Sequence, residues 1–319
     1  MKKFIEKIVL IVMIVSVLIF AINSIFVKNY AGDDSDGTLK YKNVPENIQV
    51  CNFGSSHGVY GFDYENHTDC TCFNFALVSQ SLAYDDKILN NYKQNISSGA
   101  TVFIVVSYFS LYGEPEVESN DFVSKNARYY KFLPAKYIID YNPKMALLSD
   151  FPVLTQYENL VRAAGTIVKN GPTNDVFSGW EDTSADNDNL EEVGLKRAEN
   201  HVMGTHVDKN GKLIHRQESF DAISDIISVC NNIGAHPVLI TMPYTKYYVE
   251  GVDKSNPKFF ETFYADINEI IHKTGVDYYD YSHDDRFYDH PELFMDTDHL
   301  NKKGAEKFTD ILFDEIVNK

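Results

Sequence analysis

The fold is decided by the stretch Val50-Cys51-Asn52-Phe53-Gly54-Ser55-Ser56-His57-Gly58, in which an apolar run ends in a glycine turn with two serines. Apolar residues bounded by glycine are typical of a buried strand that stops at a tight turn. A serine in such a turn lies at the end of a strand, where open α/β sheets bind their ligands. Serines in this position also commonly cap the next helix, so the stretch alone does not indicate catalysis.

A second stretch near the other end of the chain supplies the groups that a catalytic serine needs: Phe294-Met295-Asp296-Thr297-Asp298-His299-Leu300-Asn301. A neutral hydroxyl is a weak nucleophile and needs a base within hydrogen-bond reach, a role for which His299 is the candidate. Asp296, three residues earlier, can reach the other ring nitrogen and fix its tautomer. Asp298 is the rival orienting residue, but adjacent side chains tend to point in different directions, which favours Asp296. The alternative for His299 is an ordinary surface histidine.

The strand pattern of the first stretch recurs along the chain. Residues 48–53 form the first predicted strand, and further apolar runs predict strands at Ala100–Ser107, Pro237–Met242 and Val276–Tyr281. Amphipathic periodicity predicts helices at Asn74–Tyr92, Glu218–Asn231, Phe259–Lys273 and Gly304–Val317. Strands that alternate with helices predict an α/β fold, here a three-layer α/β/α domain with a mainly parallel sheet.

Residues 108–216 interrupt this alternation. Tyr, Asp, Asn and Gly are frequent there, and hydrophobic periodicity is weak. We interpret the segment as an insertion with helices at Asn142–Ser149 and Leu154–Val168 and an acidic loop at Ser178–Asn189. Long irregular insertions in compact domains often shape a substrate site or dock a partner, although such a segment can also be partly disordered.

The first 28 residues predict a membrane anchor. Residues 8–27 are apolar apart from three small polar residues, and about 20 such residues span a bilayer as a helix. Three lysines precede this run, which places the N-terminus in the cytoplasm of a single-pass cell-membrane protein. A cleaved signal peptide is the alternative, although no clear cleavage site follows. Residues 29–45 are then a tether, and residues 46–319 an extracytoplasmic domain.

The charge of the chain disfavours polyanionic partners. The net charge is −17, and without residues 1–28, which hold four lysines against one glutamate, the remainder carries −20. An acidic domain of this kind repels polyphosphates, so we expect no binding of nucleic acid. The same balance favours a neutral glycan or a small acyl donor as substrate.

We expect no cofactor and no metal ion. The chain has no Walker or dinucleotide-binding glycine pattern. The acidic residues and histidines near the C-terminus lack a second histidine at ligand spacing. Cation binding stays open only at a cluster of oxygen and imidazole ligands, namely Asp284, Asp285, Asp289 and His290.

Both stretches resemble blocks of a known family. Gly54-Ser55-Ser56 and Asp296-x-x-His299-Leu300 resemble the first and last blocks of the SGNH hydrolase superfamily, in which the first block is usually Gly-Asp-Ser. The Gly-Ser-Ser form behind a membrane anchor is similar to the branch that contains the D-alanyl transfer protein of teichoic acid synthesis (DltD) and the alginate O-acetylation proteins. The segment Cys72–Ser81 also resembles the segment after the nucleophile in that branch. The resemblance covers residues 46–110 and 230–317.

The resemblance implies roles for the residues of these blocks. Ser56 stands at the third position, which carries the nucleophile in the family, and is therefore preferred over Ser55. The N–H of Ser56 is the first implied oxyanion donor, and Ser79 stands where the family has a donating glycine. Ser55 and His57 are further candidates for oxyanion or substrate binding, although His57 can equally cap the turn. The family's Gly-x-Asn-Asp block is missing after the strand Ala100–Ser107.

The function that the resemblance implies is that of a membrane-anchored serine O-acyltransferase. Ser56 would take an acetyl or D-alanyl group, and His299 would activate a hydroxyl of a cell-surface polysaccharide or teichoic acid. The implied partner is a membrane-bound O-acyltransferase that passes the acyl group across the bilayer. Two alternatives stay open: an esterase that uses the same residues with water as acceptor, and a non-catalytic scaffold of a polymer-modification complex, which the missing asparagine block favours.

Overall fold

The computed structural model describes residues 1–29, 37–154, 180 and 189–319. The chain divides into two compact units, Met1–Lys42 with Val123–Ser178 and Asn43–Phe122 with Gly179–Lys319. The predicted insertion 108–216 is therefore not one body, because its two ends belong to the second unit. The predicted helix Leu154–Val168 and the predicted acidic loop Ser178–Asn189 lie almost wholly outside the described residues.

The described strands are β1 Ile48–Phe53, β2 Cys72–Asn74, β3 Ile96–Val105, β4 His236–Thr241 and β5 Asp277–Asp280. The described α-helices are α1 Lys2–Asn29, α2 Ser56–Gly61, α3 Leu82–Tyr92, α4 Phe122–Ala127, α5 Pro143–Asp150, α6 Leu190–Val202, α7 Gln217–Ile233, α8 Lys246–Ser255, α9 Phe259–Thr274 and α10 Lys302–Leu312. A π-helical turn, Phe313–Val317, extends α10.

The second unit is built on one sheet with the strand order β2-β1-β3-β4-β5, and every neighbouring pair is parallel. Most residues of β1 and β3 are buried, including the last six of β3, as expected for central strands that are covered on both faces. The predicted α/β class and the predicted parallel sheet are therefore confirmed. The edge strand β2 was not predicted, because its three residues are too few to show a period.

Helices cover the sheet in two groups. One group consists of α3, α7 and α9, in which α7 contacts both of the others, and a second consists of α2 and α10, which contact each other. Parallel strands are joined by right-handed crossovers, so the β1–β2 and β2–β3 connections run on opposite faces of the sheet. The connection through α2 and the connection through α3 therefore lie on different faces, as the predicted three-layer arrangement requires.

The predicted helix Asn74–Tyr92 is wrong in its first part, because α3 begins only at Leu82. Asn74 instead ends β2, and its side-chain amide donates to the carbonyl of Gly58 at 2.9 Å. The cap of α3 is Ser81, whose Oγ accepts a hydrogen bond from the N–H of Tyr84 at 3.3 Å. A short strand and a turn therefore precede the helix. Each is too short to show a hydrophobic period of its own, so the predicted helix extended over both.

The strand order creates a crevice beside β1. The chain passes from β1 to β2 on one side and then returns to β3 on the other side. In parallel sheets, the carboxyl ends of two strands at such a reversal flank the usual ligand site. Ser56 follows β1 and Ser107 follows β3, so both serines lie at this reversal.

The first unit contains α1, which among the described helices is the one long and apolar enough to cross a membrane. Its polar residue Asn23 is buried, and the amide of Asn23 donates to the carbonyl of Asp150 at 2.9 Å. Part of the predicted tether 29–45 is also folded, because Tyr41 is buried and stacks on Phe132 with ring centroids 3.8 Å apart. Residues at the end of the tether are therefore packed and not extended.

Candidate functional site

The nucleophile turn follows β1 directly. Gly54 has a φ of +136°, and a Cβ at this position would lie 2.8 Å from the Cβ of Val105 on β3. Glycine is the residue that tolerates both this backbone conformation and this close approach. The buried Asp85 stabilises the turn, because its Oδ1 accepts a hydrogen bond from the N–H of Gly54 at 3.1 Å. Burial raises the pKa of Asp85 to about 7.

Ser56 is the first residue of α2 and is half-buried, so its hydroxyl can be reached from solvent. Its Oγ lies 2.8 Å from Nε2 of His299. Nδ1 of His299 lies 2.9 Å from Oδ2 of Asp296. The structure therefore brings together the three residues that the sequence proposed as nucleophile, base and orienting carboxylate, with the distances that a serine nucleophile system requires.

Asp296 is well placed to orient the imidazole, because its other oxygen is anchored to the backbone. Oδ1 of Asp296 accepts the N–H groups of Asp298 at 3.0 Å and of His299 at 2.8 Å. The carboxylate is thereby fixed on the loop that carries the histidine. The rival carboxylate, Asp298, points away from Nδ1 of His299, toward His57 and Arg197. The two carboxylates of this loop therefore have different partners.

Arg197, on α6, joins the two carboxylates. Its guanidinium bonds both oxygens of Asp298, through Nε and, at 3.2 Å, through Nη2. It also lies 3.5 Å from Oδ2 of Asp296 and 3.1 Å from Nδ1 of His299. Nδ1 can either donate a hydrogen bond to Asp296 or accept one from Arg197, but it cannot do both. With its proton on Nδ1, His299 donates to Asp296 and turns a lone pair on Nε2 toward Ser56, which is the tautomer that a base needs.

Behind this triad lies a second, buried Ser-His-Asp chain. His57 is 2% exposed; its Nε2 lies 3.0 Å from Oδ2 of Asp298 and its Nδ1 lies 2.7 Å from Oγ of Ser107. The hydroxyl of Tyr244 also approaches Nδ1, at 3.3 Å. An ionised carboxylate only accepts, so Nε2 of His57 donates to Asp298 and Nδ1 accepts from Ser107. His57, proposed for substrate binding or a turn cap, is thus engaged at both ring nitrogens.

The charges of the site set the basicity of the imidazoles. Burial alone would lower the pKa of His299, but the carboxylates of Asp298 and Asp296 outweigh it and raise this pKa. Burial would likewise raise the pKa of Asp298, but His299, His57 and Arg197 hold it well below its usual value. The pKa of His57 is lowered, chiefly by burial. The site therefore contains an ionised Asp298, a neutral inner histidine and a more basic outer one.

Two other predicted residues lie in the nucleophile turn or beside it. Ser55 is buried, and its Oγ has no hydrogen-bond partner among the residues that the structure describes. Ser79 lies in an exposed turn with φ +55°. The segment before Ser79 runs along the nucleophile turn, since the N–H of Leu77 donates to the carbonyl of Gly54 at 3.3 Å. Oxyanion binding by these residues stays a prediction.

Aromatic residues border the outer histidine. The ring of Tyr60 lies edge-on to the ring of His299, with centroids 5.3 Å apart. The indole N–H of Trp180 donates to the carbonyl of Tyr60 at 3.1 Å. Both residues are half-buried, and the ring of Tyr60 borders the triad. Sequence reasoning places Trp180 in the predicted acidic loop Ser178–Asn189 and leaves open whether it contacts a sugar or only packs.

The ligating atoms of His57, Asp298 and His299 lie within 4.8 Å of one another. Each of these groups is already engaged: His57 with Asp298, His299 with Ser56, and Asp298 with the guanidinium of Arg197. A cation here would have to displace these bonds and share the carboxylate with a fixed positive charge. The arrangement therefore suits proton transfer better than metal binding.

Sequence reasoning missed Arg197, Ser107 and His201. Arg197 and His201 lie one turn apart on α6, and Nδ1 of His201 bonds the hydroxyl of Tyr248 at 2.8 Å. The available signal was their spacing of four residues, which places two basic side chains on one face of a helix. Nothing in the local sequence indicates that this face meets the loop of Asp298.

A scan against models of protein families finds no match for this chain, and a search of curated proteins finds none.

Proposed function

We propose that this protein is a membrane-anchored serine O-acyltransferase of SGNH type that works through an acyl-Ser56 intermediate. The observation that carries the proposal is the pair of contacts made by His299, at 2.8 Å from the Ser56 hydroxyl and at 2.9 Å from Asp296. A hydroxyl, an imidazole and a carboxylate in this order activate serine for attack on an acyl carbon. The raised pKa of His299 suits it to accept the serine proton.

The proposed reaction has two half-reactions. Oγ of Ser56 attacks the acyl carbonyl of the donor while its proton passes to Nε2 of His299. The tetrahedral oxyanion then collapses, the donor's leaving group takes the proton from His299, and an ester of Ser56 is formed. In the second half, His299 removes the proton of an acceptor hydroxyl, which attacks the ester carbonyl. The products are the acylated acceptor and free Ser56, with the proton returned to its oxygen.

A sugar hydroxyl is the proposed acceptor. Tyr60 presents aromatic surface next to His299, and the apolar faces of sugar rings pack on such surface. Trp180, bonded to the carbonyl of Tyr60, is a second aromatic residue of this region. The net charge of −17 favours a neutral polysaccharide over a polyphosphate such as teichoic acid. The acyl donor would be delivered by a membrane-bound O-acyltransferase, a proposal supported by the apolar helix α1, which can anchor the protein in a membrane.

The test is covalent labelling of the full-length protein, in detergent, with a fluorophosphonate that reacts with activated serines. We expect labelling of the wild type and none of Ser56→Ala. His299→Ala should label more slowly by about 10²-fold or more, because general-base catalysis contributes that much. The matched control is Ser98→Ala, which changes an exposed serine near the start of β3, at the opposite end of this strand from Ser107, and should label like the wild type. Labelling that survives Ser56→Ala, in protein with a wild-type thermal transition, would overturn the proposal.

The transferase and the esterase share their first half-reaction and differ in the acceptor. The purified protein is given an acetyl ester, with and without a neutral oligosaccharide, and both released acetate and acetylated sugar are measured. A transferase gives mostly acetylated sugar, whereas an esterase gives acetate at a rate that the sugar does not change. Absence of both products and of phosphonate labelling, in folded protein, favours the scaffold function.

A further inference from the structure

Residues 123–154, in the first unit, have a charge opposite to that of the rest of the chain. They contain two acidic residues and five basic ones, namely Lys125, Arg128, Lys131, Lys136 and Lys144, in a chain whose net charge is −17. The segment therefore carries +3 where the composition of the chain would give a negative value. A basic segment in an acidic protein is an electrostatic footprint for an anionic partner.

The same segment exposes apolar side chains. Helix α5 has no buried residue, although four of its eight residues are Met145, Ala146, Leu147 and Leu148. Leu147 is 54% exposed, and Leu154, just beyond the helix, is 49% exposed. The ring of Tyr141, also exposed, stacks on Tyr130 with centroids 5.7 Å apart. Exposed leucines with tyrosines and lysines are the composition of elements that lie in a membrane interface.

The end of α5 is attached to the membrane-spanning helix. The amide of Asn23 on α1 donates to the carbonyl of Asp150 at 2.9 Å, and its Oδ1 accepts the N–H of Val153 at 3.5 Å. One asparagine thus serves the carbonyl of the last residue of α5 and an N–H of the 3₁₀ turn Pro152–Leu154, and backbone groups need such partners when they leave water. Ile19, one turn before Asn23, is half-buried, whereas the residues around it are exposed. The segment therefore lies along the last turns of α1.

The position of Asn23 sets the depth of this contact. Asn23 precedes Val27, the last residue of the apolar run, by four residues, or about 6 Å along the helix at about 1.5 Å per residue. If α1 spans the bilayer, the contact lies that far inside the boundary of the hydrocarbon. Interfacial amphipathic elements bury their apolar face by about 5–10 Å, which includes this depth.

We propose that residues 123–154 form an interfacial element that binds the anionic surface of the membrane leaflet holding the C-terminal end of α1. Leu147 and Leu154 enter the boundary between headgroups and acyl chains, and the exposed lysines Lys136 and Lys144 contact anionic headgroups. The occupant of the exposed apolar surface is thus the bilayer, because the segment is hydrogen-bonded to α1, which is long and apolar enough to cross it. The inference does not depend on the chemistry of Ser56.

The test uses tryptophan fluorescence of the full-length chain in vesicles. The chain has a single tryptophan, so Trp180→Phe gives a silent background. In that background, Leu147→Trp is reconstituted into phosphatidylcholine vesicles that contain phosphatidylglycerol. We expect blue-shifted emission that falls about twofold or more with lipids brominated near the headgroup end of the acyl chains. Lipids brominated near the methyl end should quench less, because the expected depth is only about 5–10 Å.

The control is Val193→Trp in the same background, an exposed apolar position on α6, outside the segment. It should keep water-like emission, whereas equal quenching of both variants would overturn the proposal. The emission at position 147 could instead be blue-shifted, unquenched by brominated lipids, and increasingly blue-shifted as the ratio of protein to lipid rises. That outcome would overturn the proposal and indicate that a second copy of the chain covers this surface. Replacing phosphatidylglycerol by phosphatidylcholine should weaken the quenching, and unchanged quenching would overturn the anionic preference.

Discussion

At the residue scale, the two carboxylates of the Asp296-Thr297-Asp298-His299 loop have separate tasks. Asp296 bonds the imidazole of His299 directly and fixes its tautomer. Asp298, 1% exposed, touches His57 and Arg197, and its charge raises the pKa of His299 without a bond to that ring. Substitution of either aspartate should therefore slow the chemistry in a different way.

The pH dependence of labelling distinguishes these tasks. Only neutral His299 can accept the serine proton, so the labelling rate should rise with pH, with a midpoint above the ordinary histidine value of about 6.5. Asp298→Asn removes a negative charge and lowers the pKa of His299. The midpoint should then move to lower pH, and the variant should keep a larger fraction of its own maximal rate in acid.

The contrasting variant is Asp296→Asn, in which an amide replaces the acceptor of the Nδ1 proton. Its maximal rate should fall by about 10²-fold or more at every pH, because the imidazole is no longer held in the required tautomer. Both variants are compared with the wild type by phosphonate labelling between pH 5 and pH 9, after a check of the thermal transition. A midpoint that stays unchanged or rises in Asp298→Asn would contradict the assigned role of that carboxylate.

At the scale of elements, helix α6 brings Arg197 to the site through close packing on α8. A Cβ at Gly194 would lie 2.5 Å from the carbonyl oxygen of Tyr247, and one at Gly251 would lie 2.8 Å from the carbonyl oxygen of Gly194. Glycine at both positions lets the two helix backbones approach this closely. Arg197 follows Gly194 by one turn, so the helix contact sets the position of the guanidinium.

Gly194→Ala should therefore disturb the site from a distance. The new methyl group meets backbone, which cannot rotate away, and overpacking of this kind costs about 1–3 kcal/mol. Alanine's better helix propensity offsets about 1 kcal/mol of that loss. A displacement of Arg197 by about 1 Å should lower the labelling rate by about 10-fold to 100-fold.

The matched control is Val193→Ala, which changes the neighbouring exposed residue of the same helix. It should stay within about 0.5 kcal/mol of the wild type and label at the same rate. Stability is measured by thermal unfolding in detergent and activity by phosphonate labelling. If Gly194→Ala labels at the wild-type rate, the packing of α6 on α8 does not control the site.

At the scale of the whole molecule, charge should select the acceptor. The chain carries −17, so an anionic polymer is repelled from most of its surface and a neutral polymer is not. Raising the salt concentration from about 0.01 M to about 0.15 M shortens the screening length from about 30 Å to about 8 Å. Transfer to a polyanionic acceptor should therefore become more efficient with salt, through a lower KM, while transfer to a neutral glycan should change little.

This prediction is checked with two acceptors of equal length, one neutral and one carrying phosphodiesters, at both salt concentrations. The neutral acceptor is the control for effects of salt on the protein itself. A KM for the anionic acceptor that rises with salt would mean that a basic region binds it, and would contradict selection by net charge.

Much of the fold followed from local pattern. Strand β1 has the predicted bounds, Ile48–Phe53, because a short apolar run that ends at glycine has few other interpretations. The bounds of α9, Phe259–Thr274, differ by one residue from the prediction. Helices α6 and α8 were missed, because each lies in a tyrosine-rich or polar region where periodicity is diluted. An amphipathic pattern indicates a helix because apolar side chains repeat along its buried face. In α6 and α8 glycines form part of the buried contact, so this pattern is weaker.

Local sequence was enough to predict the parallel α/β sheet, the apolar N-terminal helix, and the pairing of Asp296 with His299, which are only three residues apart. The partners of His57 could be found only in the folded chain, because Asp298 is 241 residues away along the sequence. The same holds for Arg197, which reaches Asp298 from 101 residues away. The hydrophobic period of the sequence indicates which faces of the elements are buried. It does not indicate which polar groups will pair, because pairing between distant residues is favoured only when folding has buried them and made an unpaired charge costly.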